Sequence, residues 1–442
     1  MIQLSDHFHY KHLLRFTMPS IIMLVFTSIY GVVDGFFVSN FAGKTQFAAV
    51  NFIMPLLMIL GCVGFMFGTG GGALIAITMG TGNGKKANEI FSLLVYVSAG
   101  CGVALGLVGL LLLGPVAVLM GAEGDMLEAC VRYGRIVLAA LPFFVLQYEF
   151  QCLFASAEKP KLGLLVTVAA GMTNMVLDAL FVAVFSWGLE GAAAATALSQ
   201  FVGGVIPLIY FGRKNSSLLR LVKCRFDGGA LVKACTNGAS ELMSSISMSI
   251  VSMLYNVQLM KYAGEDGIAA YGVLMYVSMI FQAIFIGYSV GAAPVVGYHY
   301  GAQNRDELKS LLRKSAVLIG GFSAAMFLAG ETLCRPLSGI FVGYDEELLD
   351  MTVHAFAIFS FSFLFSGVSV YGSSFFTALG DGLTSALISF LRTLVFQIAA
   401  VLFFPLVWEL DGIWLSIVFA EVMAVAVTLL LLYGKRKKYG YV

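Results

Sequence analysis

Two aspartates, each nine residues from a turn, are the first groups in this sequence that could do chemistry. Asp34 stands nine residues before Gly43, and Asp178 nine residues before Trp187. Thr196 follows Trp187 by nine on the returning segment. In helices that rise 1.5 Å per residue, all three fall at one depth, about 13 Å beneath the surface on which those turns lie. Asn174 is four residues before Asp178, hence on the same helical face one turn deeper. Two carboxylates, an amide and a hydroxyl at one level are hard oxygen ligands for a small cation such as Na+. The same pair could instead share a proton, because two like charges in a low dielectric do not both stay ionised. Asn174 and Thr196 also have a plain reading as interhelical hydrogen-bond partners, but two carboxylates together favour the ion site.

The other intramembrane ionisable groups are Glu149, Glu241, Glu331, Arg392 and Glu421. Glu149 falls near mid-membrane, about 14 Å from the turn at Glu158, and suits a substrate counter-ion or a structural partner equally. Arg392 and Glu421 are expected to form a buried structural ion pair. Glu241 is expected near one end of its span and Glu331 near the opposite end of another, where both reach water. Gly80-Thr-Gly-Asn-Gly-Lys85-Lys86 imitates a phosphate loop only in part. Met79 stands where its first glycine belongs and Lys86 where Ser or Thr is needed, so ATP hydrolysis is not expected. The five His and seven Cys show no metal-ligand spacing, and no nucleophile cluster suggests an enzyme.

The elements that must position these groups follow from composition. Of 442 residues 59% are hydrophobic and only 12% charged, with a mean hydropathy of +0.91, which excludes an ordinary soluble enzyme. The net charge of +1 offers nothing to nucleic acid, so the partner is the lipid bilayer. Apolar stretches lie at 14–40, 47–79, 88–114, 129–156, 162–185, 190–212, 234–260, 268–298, 315–334, 351–379, 383–407 and 412–434, predicting twelve transmembrane helices. The run after Arg15 is too long for a cleavable signal and reads as the first span. Twenty Lys and Arg fall on one side, against Lys44, Lys261 and Arg335 opposite, which places both termini in the cytoplasm of a multi-pass plasma (cell inner) membrane protein.

The chain also repeats itself. Sliding it by 221 residues lays Ala42-Gly43 on Ala263-Gly264, Gly80 on Gly301, and Trp187-Gly188-Leu189-Glu190-Gly191 on Trp408-Glu409-Leu410-Asp411-Gly412. The expected fold is therefore an all-α integral membrane protein with two pseudo-symmetric six-helix lobes, 1–212 and 234–442, around a central cleft and joined by a basic cytoplasmic linker, 213–233. Such lobes can rock to expose the cleft to either side, which favours a carrier. The same offset maps Asp34 to Tyr255, Asn174 to Val395, Asp178 to Ala399 and Thr196 to Ile417. The fold itself does not require the polar set.

Several segments resemble the multidrug and toxic compound extrusion (MATE) family, in its MepA-like branch. They are Val33-Asp34-Gly-Phe-Phe-Val38, Gly70-Gly-Gly-Ala-Leu-Ile, Met79-Gly80-Thr-Gly-Asn-Gly-Lys-Lys-Ala87, Asn237-Gly-Ala-Ser-Glu241, Pro294-Val-Val-Gly-Tyr-His-Tyr-Gly-Ala-Gln-Asn304 and Ala378-Leu-Gly-Asp-Gly382. The resemblance implies a monomeric secondary antiporter that needs no cofactor and exports amphipathic, often cationic compounds in exchange for Na+ or H+. It also implies a cation site made by Asp34, Asn174, Asp178 and Thr196. Some branches carry a carboxylate deep in span 7 or 10. Here span 7 has only Glu241 at its cytoplasmic end and span 10 none before Asp381, so no second-lobe coupling site is expected. A flippase for a lipid-linked precursor ranks second, since Arg392 is the one clear cation for its cleft, and a non-transporting receptor or scaffold third.

Overall fold

The computed structural model describes residues 2–441. Fourteen α-helices account for most of it: α1 (Tyr10–Phe37), α2 (Lys44–Gly80), α3 (Gly84–Leu119), α4 (Gly124–Ala139), α5 (Leu141–Ser156), α6 (Pro160–Asp178), α7 (Gly188–Gly212), α8 (Gly228–Gly301), α9 (Arg305–Val342), α10 (Glu346–Phe359), α11 (Phe363–Ala378), α12 (Gly382–Phe390), α13 (Phe396–Phe403) and α14 (Pro405–Tyr439). Ten helical stretches are long and apolar enough to cross a bilayer alone, and α4 with α5 crosses as a pair bent by 59°. The bend follows from Pro142 in the first turn of α5, which has no N–H to continue the α4 ladder. The 74 residues of α8 hold two spans, broken at Gly264 with φ 62° and ψ −149°, a backbone conformation that only glycine adopts freely. Twelve spans result, as the hydropathy predicts.

Wider π-helical turns interrupt the regular ladder at Val38–Ala42, Ala179–Val184 and Leu391–Val395. Two of them begin immediately after, or four residues after, an intramembrane aspartate. Such turns rotate the following side chains and recur at functional sites.

Apolar packing divides the molecule unequally along the membrane normal. One buried cluster draws on both halves, with Phe16, Phe67, Ile75 and Phe150 from the first and Phe285, Tyr288, Val295 and Phe376 from the second. Two further clusters stay separate. Val38, Ala49, Ile53, Tyr133 and Leu189 belong to the first lobe alone, and Val251, Tyr255, Leu274, Phe356 and Trp414 to the second alone. The joint cluster lies on the side of the chain ends. There the backbone amide of Leu4 donates to Glu158 Oε1 at 2.6 Å and that of Phe8 to Glu307 Oε1 at 2.9 Å, so the N-terminal arm reaches both lobes. The lobes thus share a core on the face of the termini and keep separate cores away from it.

Small residues make that contact possible. A Cβ on Gly70 would strike the Ala234 carbonyl and one on Gly238 the Met66 carbonyl, so α2 and α8 approach backbone to backbone. Asn237 locks the crossing, its Nδ2 donating to the carbonyls of Thr377 at 2.8 Å and Gly70 at 3.3 Å. Gly301 and Gly80 repeat the arrangement one crossing further along. The glycine and Asn237 motifs are therefore packing devices of the lobe contact. Asp381, in the turn before α12, ties down α14: burial opposes its charge, but bonds from Lys435, Tyr439 and Thr384 bring its carboxyl down to about 2.

Candidate functional site

Residues Asp34, Asn174, Asp178 and Thr196 come together inside the first lobe, from α1, α6 and α7. The α6 helix packs on both α1 and α7, which brings the three backbones side by side. The side chain of Asp34 faces those of Asp178, Asn174 and Thr196. Asp34, Asn174 and Asp178 are 9%, 3% and 0% exposed. Despite that proximity, Asp34 Oδ1, both carboxylate oxygens of Asp178, Asn174 Oδ1 and Thr196 Oγ1 are buried without a hydrogen-bond partner. Five unpartnered oxygens on four residues are costly in a low dielectric unless something of opposite charge, or a proton, satisfies them. The arrangement can hold a small cation or a shared proton.

Two tyrosines outside the four border this set. Tyr133 of α4 is fully buried, its hydroxyl beside Thr196 and within the field of both carboxylates. Tyr30, one helical turn before Asp34, faces Gln147 of α5 and the same carboxylate. Tyr30 shares a helical face with Asp34 and was open to the same four-residue spacing that placed Asn174, whereas Tyr133 was not, because its approach to the set depends on how α4 packs against α7.

The remaining predicted residues go elsewhere. Glu149 is fully buried and takes a hydrogen bond from the Ser98 hydroxyl of α3, apart from the four. Glu241 corrects the expectation of a span end. Because α8 begins at Gly228, inside the stretch read as linker, Glu241 lies thirteen residues into the helix, with its carbonyl near Cys62 Sγ at 3.6 Å on the lobe contact. Glu331 accepts from the Ser360 hydroxyl. Arg392 and Glu421 form the expected ion pair, with Arg392 Nε 2.9 Å from Oε2 and 3.1 Å from Oε1, and Nη2 2.9 Å from Oε1. Among the described residues no group of three His, Cys, Asp or Glu could hold a metal ion.

In the second lobe the positions equivalent to the four are apolar or engaged. The Tyr255 hydroxyl donates to Gln397 Oε1 at 2.7 Å and its ring stacks on Tyr271, while Ile417 joins the apolar cluster.

The sequence model of the MatE family matches this chain twice, over residues 19–180 and again over 242–402. The chain belongs to the MatE family. The two matches fall one in each half, in keeping with the internal repeat. Across 438 residues this MatE protein is 24% identical to the multidrug export protein MepA of Staphylococcus aureus strain MSSA476, covering 97% of this chain and 94% of the relative. Its fold superposes on a crystal structure of MATE in complex with MaL6 with a TM-score of 0.93, at 22% identity, covering 98% of this chain and 97% of the other. An outward-facing multidrug resistance MATE family transporter of the MOP superfamily gives a TM-score of 0.92 at 22% identity, with 98% and 97% covered. The chain is thus a multi-pass membrane protein of a transporter family, and MATE relatives have been seen with ligands bound.

Proposed function

We propose that this protein is a secondary antiporter that exports amphipathic, cationic compounds in exchange for Na+ or H+, across a plasma membrane with both termini cytoplasmic. The lobes are residues 1–212 and 234–442, with 213–233 as the connection between them. The observation that carries the reading is the set of unpartnered buried oxygens on Asp34, Asn174, Asp178 and Thr196. Its absence from the equivalent positions of the second lobe argues that the set serves function and not the fold. The kinship to a multidrug export protein supports the substrate class. With the lobes closed on the face of the termini, the conformation is the one that opens the cleft outward. The coupling ion enters from that side, satisfies the carboxylates, and favours the opposite state only as far as it binds the two states unequally. No cofactor is required, because the ion gradient supplies the free energy, and one chain contains both lobes.

The test is efflux of ethidium from proteoliposomes under an imposed Na+ gradient and, separately, a pH gradient. One gradient drives wild-type efflux, and Asp34→Asn or Asp178→Asn lowers it roughly tenfold or more. Both variants elute and melt as wild type, since the replacement is isosteric. Gradient-driven export retained in both variants overturns the assignment.

A further inference from the structure

The connection between the lobes is held in place by a ladder of side chains on the first turns of α3. Asn88, Ser92 and Tyr96 recur every four residues on one helical face. Asn88 Oδ1 accepts from the Arg220 amide at 2.6 Å and Ser92 Oγ from the Val222 amide at 2.8 Å, and the Tyr96 hydroxyl donates to the Val222 carbonyl at 3.4 Å. Beyond Val222 the chain turns back, and Lys86 Nζ meets Asp227 Oδ2 at 2.8 Å, where Asp227 also caps α8 by accepting from the Ala230 amide. Between these two anchorages the connection stands off from α3 and lines with it an open cavity of about 730 Å³.

Its lining is amphipathic. Lys85, Lys86, Lys223 and Arg225 supply four positive charges, Phe226 supplies an apolar wall, and the buried Ile90 and Leu93 close the floor. Glu89 and Asp227 are the carboxylates there, and Asp227 is already bound by Lys86. Lys85, Lys223 and Arg225 make no hydrogen bond or ion pair among the described residues. Phe226 is 74% exposed at the rim. The cavity also lies at a definite depth. The 36 residues of α3 span about 54 Å, well beyond a hydrocarbon core of about 30 Å, so roughly its first eight residues stand in the headgroup layer. A general excess of basic residues on one side of the membrane accounts for the charges, but not for their convergence on one cavity with an apolar wall.

We infer that this cavity binds the headgroup of an anionic phospholipid, with Lys223 and Arg225 on the phosphodiester and an acyl chain against the exposed Phe226. Guanidinium and ammonium groups recognise phosphate oxygens by charge-assisted hydrogen bonds, and basic pockets between membrane helices suit such headgroups. The site is separate from the ion set of the first lobe and stands whether or not that set couples transport.

Native mass spectrometry of the purified full-length protein, titrated with phosphatidylglycerol or phosphatidylcholine of identical chains, tests it. Wild type retains phosphatidylglycerol in roughly twentyfold preference, as expected from about two basic contacts. Lys223→Gln with Arg225→Gln removes the preference, whereas Lys223→Arg with Arg225→Lys keeps it. Equal retention of the two lipids by wild type, or an undiminished preference in the Gln pair, overturns the inference. Displacement of phosphatidylglycerol by excess inorganic phosphate overturns it too, since the cavity is then a site for a soluble anion.

Discussion

At Arg392 three hydrogen bonds hold the guanidinium against Glu421, with only 18% and 7% of the two side chains exposed. Burying both charges is costly, and the fork geometry recovers that cost only while the pair is whole. Arg392→Met therefore destabilises the protein by about 3 to 5 kcal/mol, by leaving Glu421 charged and alone, and Arg392→Met with Glu421→Leu restores most of the loss. Thermal unfolding in detergent distinguishes the two, and equal melting of the single and double variants contradicts the account. The first-lobe set differs in kind. Its carboxylates have no built-in cation, as the proposed exchange of a coupling ion requires.

Among the elements, the internal repeat exposes a local strain. The turn before α7 places Gly188 at φ +59°, and the equivalent position in α14 is Glu409, held at φ 51° and ψ −125°. A side chain with a Cβ is poorly accommodated there, whereas glycine is not. Glu409 also lies on the exposed side of its helix and makes no hydrogen bond or ion pair among the described residues. Glu409→Gly is expected to stabilise the second lobe by about 1 kcal/mol, seen as a higher melting temperature. An unchanged or lower value would show that the strain is relieved elsewhere. The α4–α5 bend is a second departure from ideal helix with a visible purpose, since it turns Tyr133 of α4 toward the ion set while Glu149 of α5 faces α3.

For the molecule as a whole, the two lobes are joined by backbone contact of α8 with both α2 and α1 and by the arm running from Glu158 to Glu307. Contact of this kind is sensitive to a single branched side chain, because no flexible atoms separate the helices. Gly238→Val inserts a wedge against the Met66 carbonyl and shifts the population away from the closed face. With spin labels on Thr81→Cys and Asp306→Cys, both exposed in the turns of that face, the distance distribution moves to longer separations. A distribution identical to that of the Gly238 protein contradicts the view that this backbone contact holds the lobes together.

What the sequence determined alone was whatever depends on local repetition. Twelve spans followed from hydropathy, and the gathering of Asp34, Asn174, Asp178 and Thr196 followed from a fixed helical rise counted from turns. The pairing of Arg392 with Glu421 followed because a lone buried charge is so unfavourable. Glu241 was misplaced because a helix that projects beyond the bilayer tolerates Lys233 in its first turns, which hides its true start at Gly228. Tertiary structure alone decided which face the lobes meet on, that Tyr133 faces Thr196 and the two carboxylates, that Glu149 turns to Ser98, and that the connection docks on α3. Each of these depends on the rotation of one helix against another, which close packing of small residues sets and which no periodicity along the chain records.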